Sequence, residues 1–171
     1  IYDTDPLFCD ADNYNYRLFS HSPCVGAGEN GANIGYMGVG CEIYSGPIWH
    51  ISPDGSNLYD GSQSSPFSSI QLGIDASSNG DTILVEPGTY IENINYNGKS
   101  IVIGSLYITT SDTSYISNTI IDGNQTSSVV TFENEENDLS QLIGFTIQNG
   151  NSSNGGGIYC GNSCQFWIIY I

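Results

Sequence analysis

The chain alternates between short apolar runs and stretches rich in Gly, Asn, Ser and Asp. Each apolar run is rich in β-branched or aromatic residues and is closed by a turn residue, which is typical of many short strands separated by turns. In the second half of the chain these runs lie at 82–86, 99–107, 118–123, 128–134, 140–150 and 157–160. The pattern predicts an all-β fold.

One stretch has helical periodicity instead. Ser65 and Pro66 form a typical helix start, because a hydroxyl accepts from free N–H groups and a proline has no N–H to leave unpaired. Asn79-Gly80 supplies a left-handed stop. The apolar residues between them recur at helical spacing: Phe67, Ile70 and Ile74. The sequence therefore predicts one α-helix at about 66–78.

The apolar runs also recur along the chain. The markers Ile83, Ile101, Ile120 and Ile143 are separated by 18, 19 and 23 residues. Near-regular periods of this size, with one or two short strands each, are typical of a β-solenoid whose strands are parallel between coils. A helix at the start of such a stack would cover strand edges that could otherwise pair with another chain.

The residues of this region carry a family resemblance. The run PFSSIQLGID…GDTILVEPGTYIENI, followed by IVIGS, TIIDG, LIGFTIQNG and GGGIYC, resembles the amino-terminal half of right-handed parallel β-helix proteins of the pectin-lyase-like superfamily. It is especially similar to large secreted bacterial repeat proteins, and the resemblance covers about residues 48–160. It implies a right-handed parallel β-helix (solenoid) with an N-terminal capping α-helix at about 66–78.

The first residues resemble the opposite end of such a protein. DPLFCD, YRL and SPC within residues 1–41 are similar to the motifs of a closing coil. This implies that residues 1–45 are the terminal coil of a preceding β-helix module and that residues 46–171 are the cap and first coils of the next. We therefore expect the chain to be a truncated piece of a longer protein, with further modules of the same parent chain as its neighbours.

Charge excludes some partners. The chain has 18 acidic and 2 basic residues, so its net charge is −16. A nucleic-acid partner requires a surface lined by lysine and arginine, which this sequence lacks. The same balance disfavours an anionic membrane surface or an acidic polysaccharide bound without a cation. No apolar run approaches the length of about 18 residues that a membrane span requires.

Five cysteines with few lysines favour an oxidising compartment, and hence a secreted or cell-surface location. In the glycine-rich first segment we expect Cys24 and Cys41 to form a disulfide that staples a terminal coil, with two buried free thiols as the alternative. The odd count leaves at least one cysteine without an intrachain partner.

A polar loop is a candidate metal site. Asp54, Ser56, Asn57 and Asp60 place oxygen side chains close together in sequence, and Ca²⁺ takes six to eight oxygen ligands from a flexible loop. An ordinary loop of Asx turns is the alternative interpretation.

The sequence contains no recognisable catalytic set. Asp122 could be one of the paired carboxylates that polygalacturonase-like enzymes need, but no second aspartate occupies the corresponding position. Lys99, the only base in the solenoid segment, is interpreted as a solvated lysine in a turn. The acids at Glu133, Glu135, Glu136 and Asp138 are interpreted as a solvated charge run between strands.

These observations favour a non-catalytic structural or adhesive β-helix module of a secreted or cell-surface protein that contacts polysaccharide or cell-surface glycans. The alternative is the amino-terminal portion of a carbohydrate-active enzyme (pectin lyase, polygalacturonase or pectin methylesterase-like) whose catalytic coils lie beyond residue 171. A glycan-binding module that uses its aromatic side chains and Ca²⁺ is a third class. Fold alone does not choose among them.

Overall fold

A computed structural model describes residues 8–10, 15–18, 22–27, 29–32, 47–134, 136–137, 139–161 and 167–169. The chain divides into two compact units, Ile1–Tyr44 and Ser45–Ile171, where the sequence predicts a boundary between residues 45 and 46. In the first unit, β1 (Phe8–Asp10) and β2 (Asn15–Leu18) form an antiparallel pair, and a 3₁₀ turn spans Glu29–Gly31.

The second unit contains three sheets, in which the named strands pair only in parallel. The first sheet contains β3 (Ile48–Ile51), β4 (Thr82–Val85), β7 (Val102–Ser105), β10 (Gln141–Ile143) and β13 (Trp167–Ile169) in that spatial order. The second contains β5 (Gly88–Ile91), β8 (Thr119–Asp122) and β11 (Thr146–Gln148). The third contains β6 (Ile94–Asn95), β9 (Val130–Phe132) and β12 (Ile158–Cys160).

The described chain is therefore built mainly of strands in parallel sheets, as the all-β prediction requires. Helices are few: α1 (Ile70–Ala76), α2 (Tyr107–Thr110) and α3 (Ser114–Asn118). From β4 onward, successive strands enter the first, second and third sheets in turn, and this order repeats up to β13.

Buried apolar side chains lie in register across the first sheet. Trp49 pairs with Ile83, Ile83 with Ile103, and Ile103 with Leu142. All four side chains are buried, whereas Leu84, on the opposite face of β4, is only half-buried. Because side chains alternate between the two faces of a strand, this column forms a continuous apolar core on one face.

A second set of buried residues lies on the third sheet and directly beside it. Ile94 pairs with Val130, and both side chains are buried. The rings of Tyr96 and Phe132 lie with their centroids 4.3 Å apart, and the Tyr96 hydroxyl donates to the Gln141 carbonyl at 2.7 Å. The buried polar group is thus satisfied as well as packed.

Helix α1 is shorter than the sequence predicts. It begins at Ile70 after the N-cap Ser69 and ends at Ala76 before the C-cap Ser77. Phe67, expected on the helix, is extended instead: its N–H donates to the His50 carbonyl at 3.0 Å, and its carbonyl accepts from the Ser52 N–H at 2.9 Å. Its ring stacks on Trp49 at 6.0 Å. Pairing with β3 therefore displaces the first turn of the predicted helix.

A carboxylate from another part of the chain holds the start of α1. Glu92 accepts from the N–H groups of Ile70 and Gln71, at 2.9 and 3.0 Å, and from the Ser69 hydroxyl at 2.9 Å. The first N–H groups of a helix have no partner within it, and its N-terminus carries partial positive charge, so a carboxylate there is stabilising.

Lys99 binds the C-terminal end of α1. Its ammonium donates to the carbonyls of Ile74, Asp75 and Ser77. The prediction of a solvated turn lysine is therefore wrong. The free carbonyls at a helix C-terminus attract a cation, and they lie far from Lys99 in sequence, so its local context does not reveal them.

We expect Lys99→Met to destabilise the second unit by about 1–2 kcal/mol, because three helix carbonyls lose a charged donor while the apolar stem is kept. Urea unfolding followed by circular dichroism measures the change. Lys99→Arg is the matched control, since it keeps the charge and should recover part of the loss. A Lys99→Met variant as stable as the parent would contradict this role.

Candidate functional site

Three of the four residues predicted to bind calcium accept hydrogen bonds from other groups of the chain. Asp60 Oδ1 accepts from the Ser62 N–H at 3.0 Å, and Ser56 Oγ from the Leu58 N–H at 3.2 Å. Asn57 Oδ1 accepts from the Ser68 hydroxyl at 2.8 Å. The first two contacts are those of Asx and Ser/Thr turns. The predicted site at Asp54, Ser56, Asn57 and Asp60 remains a prediction.

Among the described residues, no group of three or more His, Cys, Asp or Glu side chains is placed to hold a metal ion.

A polar cluster surrounds Asp122, at the end of β8. Asp122 Oδ1 accepts from the Asn124 N–H at 2.8 Å. Its Oδ2 accepts from Gln148 Nε2 and Asn149 Nδ2, both at 2.8 Å. Gln148 is the register partner of Asp122 on β11, so the parallel pairing itself brings the amide to the carboxylate.

These hydrogen bonds fix the charge state of Asp122. The Asn124 N–H, followed by the side-chain amides of Gln148 and Asn149, lowers the pKa of this exposed carboxyl below its ordinary value. Donors to the charged form favour that form. Asp122 is therefore suited to accept hydrogen bonds as an anion. It is not suited to act as a proton donor, because that role requires a raised pKa.

Asn93 extends the cluster along the adjoining turn. Its amide nitrogen donates to the Ser128 carbonyl at 2.9 Å, and its amide oxygen accepts from the Thr126 hydroxyl at 2.6 Å. We name this surface the amide shelf; it comprises Asn93, Asp122, Thr126, Gln148 and Asn149.

The backbone of the shelf is unusual as well as its side chains. Asn124, Gln125 and Asn149 all have positive φ, at 48°, 56° and 55°. Asn tolerates this region more readily than most residues do. The Gln125 N–H donates to the Asn149 carbonyl at 2.7 Å, so the turn after β8 is held against the turn after β11.

The amide partners were missed by sequence reasoning, which singled out only Asp122 and looked for a second aspartate. Asp122 lies one residue before the end of the run at 118–123, and Asn149 lies one residue before the end of the run at 140–150. Aligning the run ends, and not their first isoleucines, therefore places Asn149 beside Asp122, with Gln148 one residue away.

The predicted charge run between strands is also revised. Glu136 is only 1% exposed, and it accepts from the N–H groups of Gly98 and Asn134, both at 2.9 Å. It therefore joins two turns and is not solvated. Glu133 accepts from Asn95 Nδ2 at 2.9 Å on the surface. Glu135 and Asp138 lie outside the described residues.

Among the described residues, Cys24 and Cys160 differ in their bonding. Cys24 is a buried free thiol, so the structure does not contain the disulfide expected between Cys24 and Cys41; Cys41 itself lies outside the described residues. The Cys24 N–H donates to Ser22 Oγ at 3.1 Å within a local turn. Cys160, on β12, is disulfide-bonded.

Comparison with known proteins yields no relative: no family model, no curated protein and no solved structure matches this chain.

Within the part of the chain that the structure describes, no helix has the length and apolar character to cross a bilayer.

We expect Asp122 to titrate below 3.8, the ordinary value of an aspartate, and a Gln148→Ala/Asn149→Ala variant to raise that pKa. Because the folded-state pKa is lowered, the stability that Asp122 contributes is present at neutral pH and is lost as the pH falls through that pKa. Carbon-detected NMR titration of the Asp122 carboxyl measures its pKa in the parent chain and in the variant. A pKa that does not respond to removal of the two amides would show that they do not act on it.

Proposed function

We propose that the second unit is a right-handed parallel β-helix of the pectin-lyase-like kind and acts as a structural or adhesive module of a secreted or cell-surface protein. The observation that carries the proposal is the strand order: from β4 to β13, the chain enters three parallel sheets in strict rotation. A chain that winds as a solenoid produces this order, because each coil adds one strand to each sheet.

Register supports the same proposal. The strands of the first sheet align residue for residue over four members, from Trp49 through Ile83 and Ile103 to Leu142. Stacked identical or similar side chains give every coil the same interior. In such an architecture each coil contacts only its neighbours, so length and stiffness can be extended by adding coils. This is the property that a spacer or stalk requires.

The disulfide at Cys160 supports a secreted or cell-surface location. Disulfides persist in oxidising compartments and are rare where thiols are kept reduced. The net charge of −16 suits a soluble exported module, since a charge far from zero opposes self-association.

The amide shelf is the surface we assign to glycan contact. Gln148 and Asn149 each use one amide N–H on Asp122, which leaves a second N–H and the amide oxygen of each side chain for a ligand. Asn149 and Gln148 are both exposed. Paired donors and acceptors on a rigid surface match the hydroxyl groups of a neutral sugar, whereas an acidic glycan would meet the Asp122 carboxylate.

Pectin turnover separates a non-catalytic module from the alternative, the amino-terminal part of a carbohydrate-active enzyme. The chain is incubated with methyl-esterified and de-esterified pectin, and polymer length and methanol release are followed. We expect neither to change. Turnover that Asp122→Asn abolishes, and that the matched surface variant Asp112→Asn preserves, would establish the enzyme instead.

A glycan array tests the adhesive role. We expect the chain to be retained on neutral glycans and expect Gln148→Ala/Asn149→Ala to reduce that retention. Binding that is lost with EDTA but unaffected by these substitutions would move the contact to a cation site, with the 54–60 loop as the first candidate. Absence of retention on every glycan would leave the structural role without the adhesive one.

A further inference from the structure

Three strands form the same end of the three sheets in the second unit: β3, β5 and β6. In a parallel ladder, alternate residues direct their N–H and C=O groups toward opposite sides of the strand. Each of these three strands therefore has one set of backbone groups that points away from its sheet neighbour. How each set is satisfied decides whether the edge is protected.

The outer edge of β3 is covered by the chain that follows it. The His50 N–H donates to the Gly61 carbonyl at 2.8 Å, and the His50 carbonyl accepts from Phe67 at 3.0 Å. The Ser52 N–H donates to the Phe67 carbonyl at 2.9 Å. Gly61 and Phe67 thus fill the hydrogen-bonding positions along this edge.

The outer edge of β6 is covered by one side chain. The Asn95 N–H donates to Gln71 Oε1 at 2.8 Å, and Gln71 Nε2 donates to the Asn95 carbonyl at 3.2 Å. The primary amide of Gln71, placed by helix α1, therefore satisfies the same two groups that a neighbouring strand would satisfy.

The edge of β5 differs. The Glu92 N–H donates to the Asp122 carbonyl at 3.0 Å. The backbone N–H and C=O groups of Glu92 and Tyr90 therefore point toward β8, and those of Thr89 and Ile91 point away from it. Within the described part of the chain, the backbone groups of Thr89 and Ile91 on that side have no hydrogen-bond partner. Both residues are exposed, and the Ile91 side chain is 69% exposed.

Charge indicates what could lie on this edge. Glu86, two residues before β5, and Asp54 are both exposed, and Asp54 follows Pro53, whose ring closely approaches Gly88 at the start of β5. A second copy of this chain, with a net charge of −16, would be repelled from such a surface. A basic segment would be attracted, and complementary charge speeds and selects encounters.

We propose that the outer edge of β5, Gly88–Ile91, binds a basic, extended segment of another polypeptide by strand addition. The segment would pair its backbone with Thr89 and Ile91, place an apolar side chain against Ile91, and direct its cationic side chains toward Glu86 and Asp54. Backbone pairing supplies affinity in this mode, and side-chain contacts supply selectivity. The proposal goes beyond the structural role and depends only on this edge, not on the β-helix assignment.

A synthetic probe tests the proposal on the full chain. The peptide is acetyl-Lys-Val-Lys-Val-Lys-Val-Lys-amide, and binding is followed by amide NMR at increasing peptide concentration. We expect chemical shift changes centred on Thr89 and Ile91, a Kd below about 1 mM, and amide exchange at these two residues slowed about tenfold or more by the added pairing. Raised salt should weaken binding.

Matched controls identify the edge. Ile91→Lys should abolish binding by placing a like charge on the edge, whereas Leu139→Lys should not, because Leu139 is comparably exposed, at 61%, but lies in the turn before β10. A peptide N-methylated on alternate residues, with unchanged charge, should also fail to bind. The N-methylated peptide requires no change in the protein, so this control remains valid even where a substitution perturbs folding.

Three outcomes would overturn the proposal. The first is no binding up to several millimolar peptide. The second is binding that is insensitive to Ile91→Lys and to N-methylation, which would show attraction by net charge alone. The third is concentration-dependent self-association of the unliganded chain that Ile91→Lys removes, which would assign the edge to a second copy.

Discussion

Two charged side chains, Glu92 and Lys99, hold helix α1 from its two ends. Glu92 accepts from the N–H groups of Ile70 and Gln71, and Lys99 donates to the carbonyls of the last turn. The helix has seven residues, and a helix of that length is not stable alone in water. Since Glu92 and Lys99 flank strand β6, the position of the helix and the position of the strands depend on each other.

This constraint explains how the ends of the first and third sheets are covered. Once α1 is held over β3, β4 and β6, its buried residues Ile70 and Ile74 cover the apolar core, and Gln71 reaches the edge of β6. Lys99 is the one base among residues 45–171, and it is used here. The acids of this unit therefore far outnumber its basic side chains.

The sequence predicts the strands well because their signal is local. The runs of Ile and Val between turn residues supply strands of the parallel sheets, and strands of such sheets need no strict alternation. The helix is predicted but its start is not: Phe67 fits a helical face, yet its backbone pairs with β3. Propensity is a weak prior that tertiary pairing overrides. The predictions for Lys99 and Glu136 fail for a related reason. Lys99 contacts the end of α1 and Glu136 accepts from Gly98, and a local sequence pattern does not show either contact.

The candidate site likewise has one residue that the sequence predicts and partners that it does not. Asp122 is visible as a carboxylate at the end of a strand, but Gln148 and Asn149 reach it only through the register between β8 and β11. Unequal spacings of 18, 19 and 23 residues between the markers obscure that register. In the 54–60 loop, side-chain oxygens close in sequence are separately engaged with N–H and hydroxyl groups of the chain. Proximity in sequence does not decide whether oxygens converge.

Native-state hydrogen exchange measures most directly whether α1 and the strands form one cooperative unit. The amides of Ile74, on α1, and of Ser77, its C-cap, should exchange with the same free energy of opening as those of β4, and that shared value should fall together in Lys99→Met. Helix amides that open with several kcal/mol less than the strands, while the strands remain protected, would contradict the account.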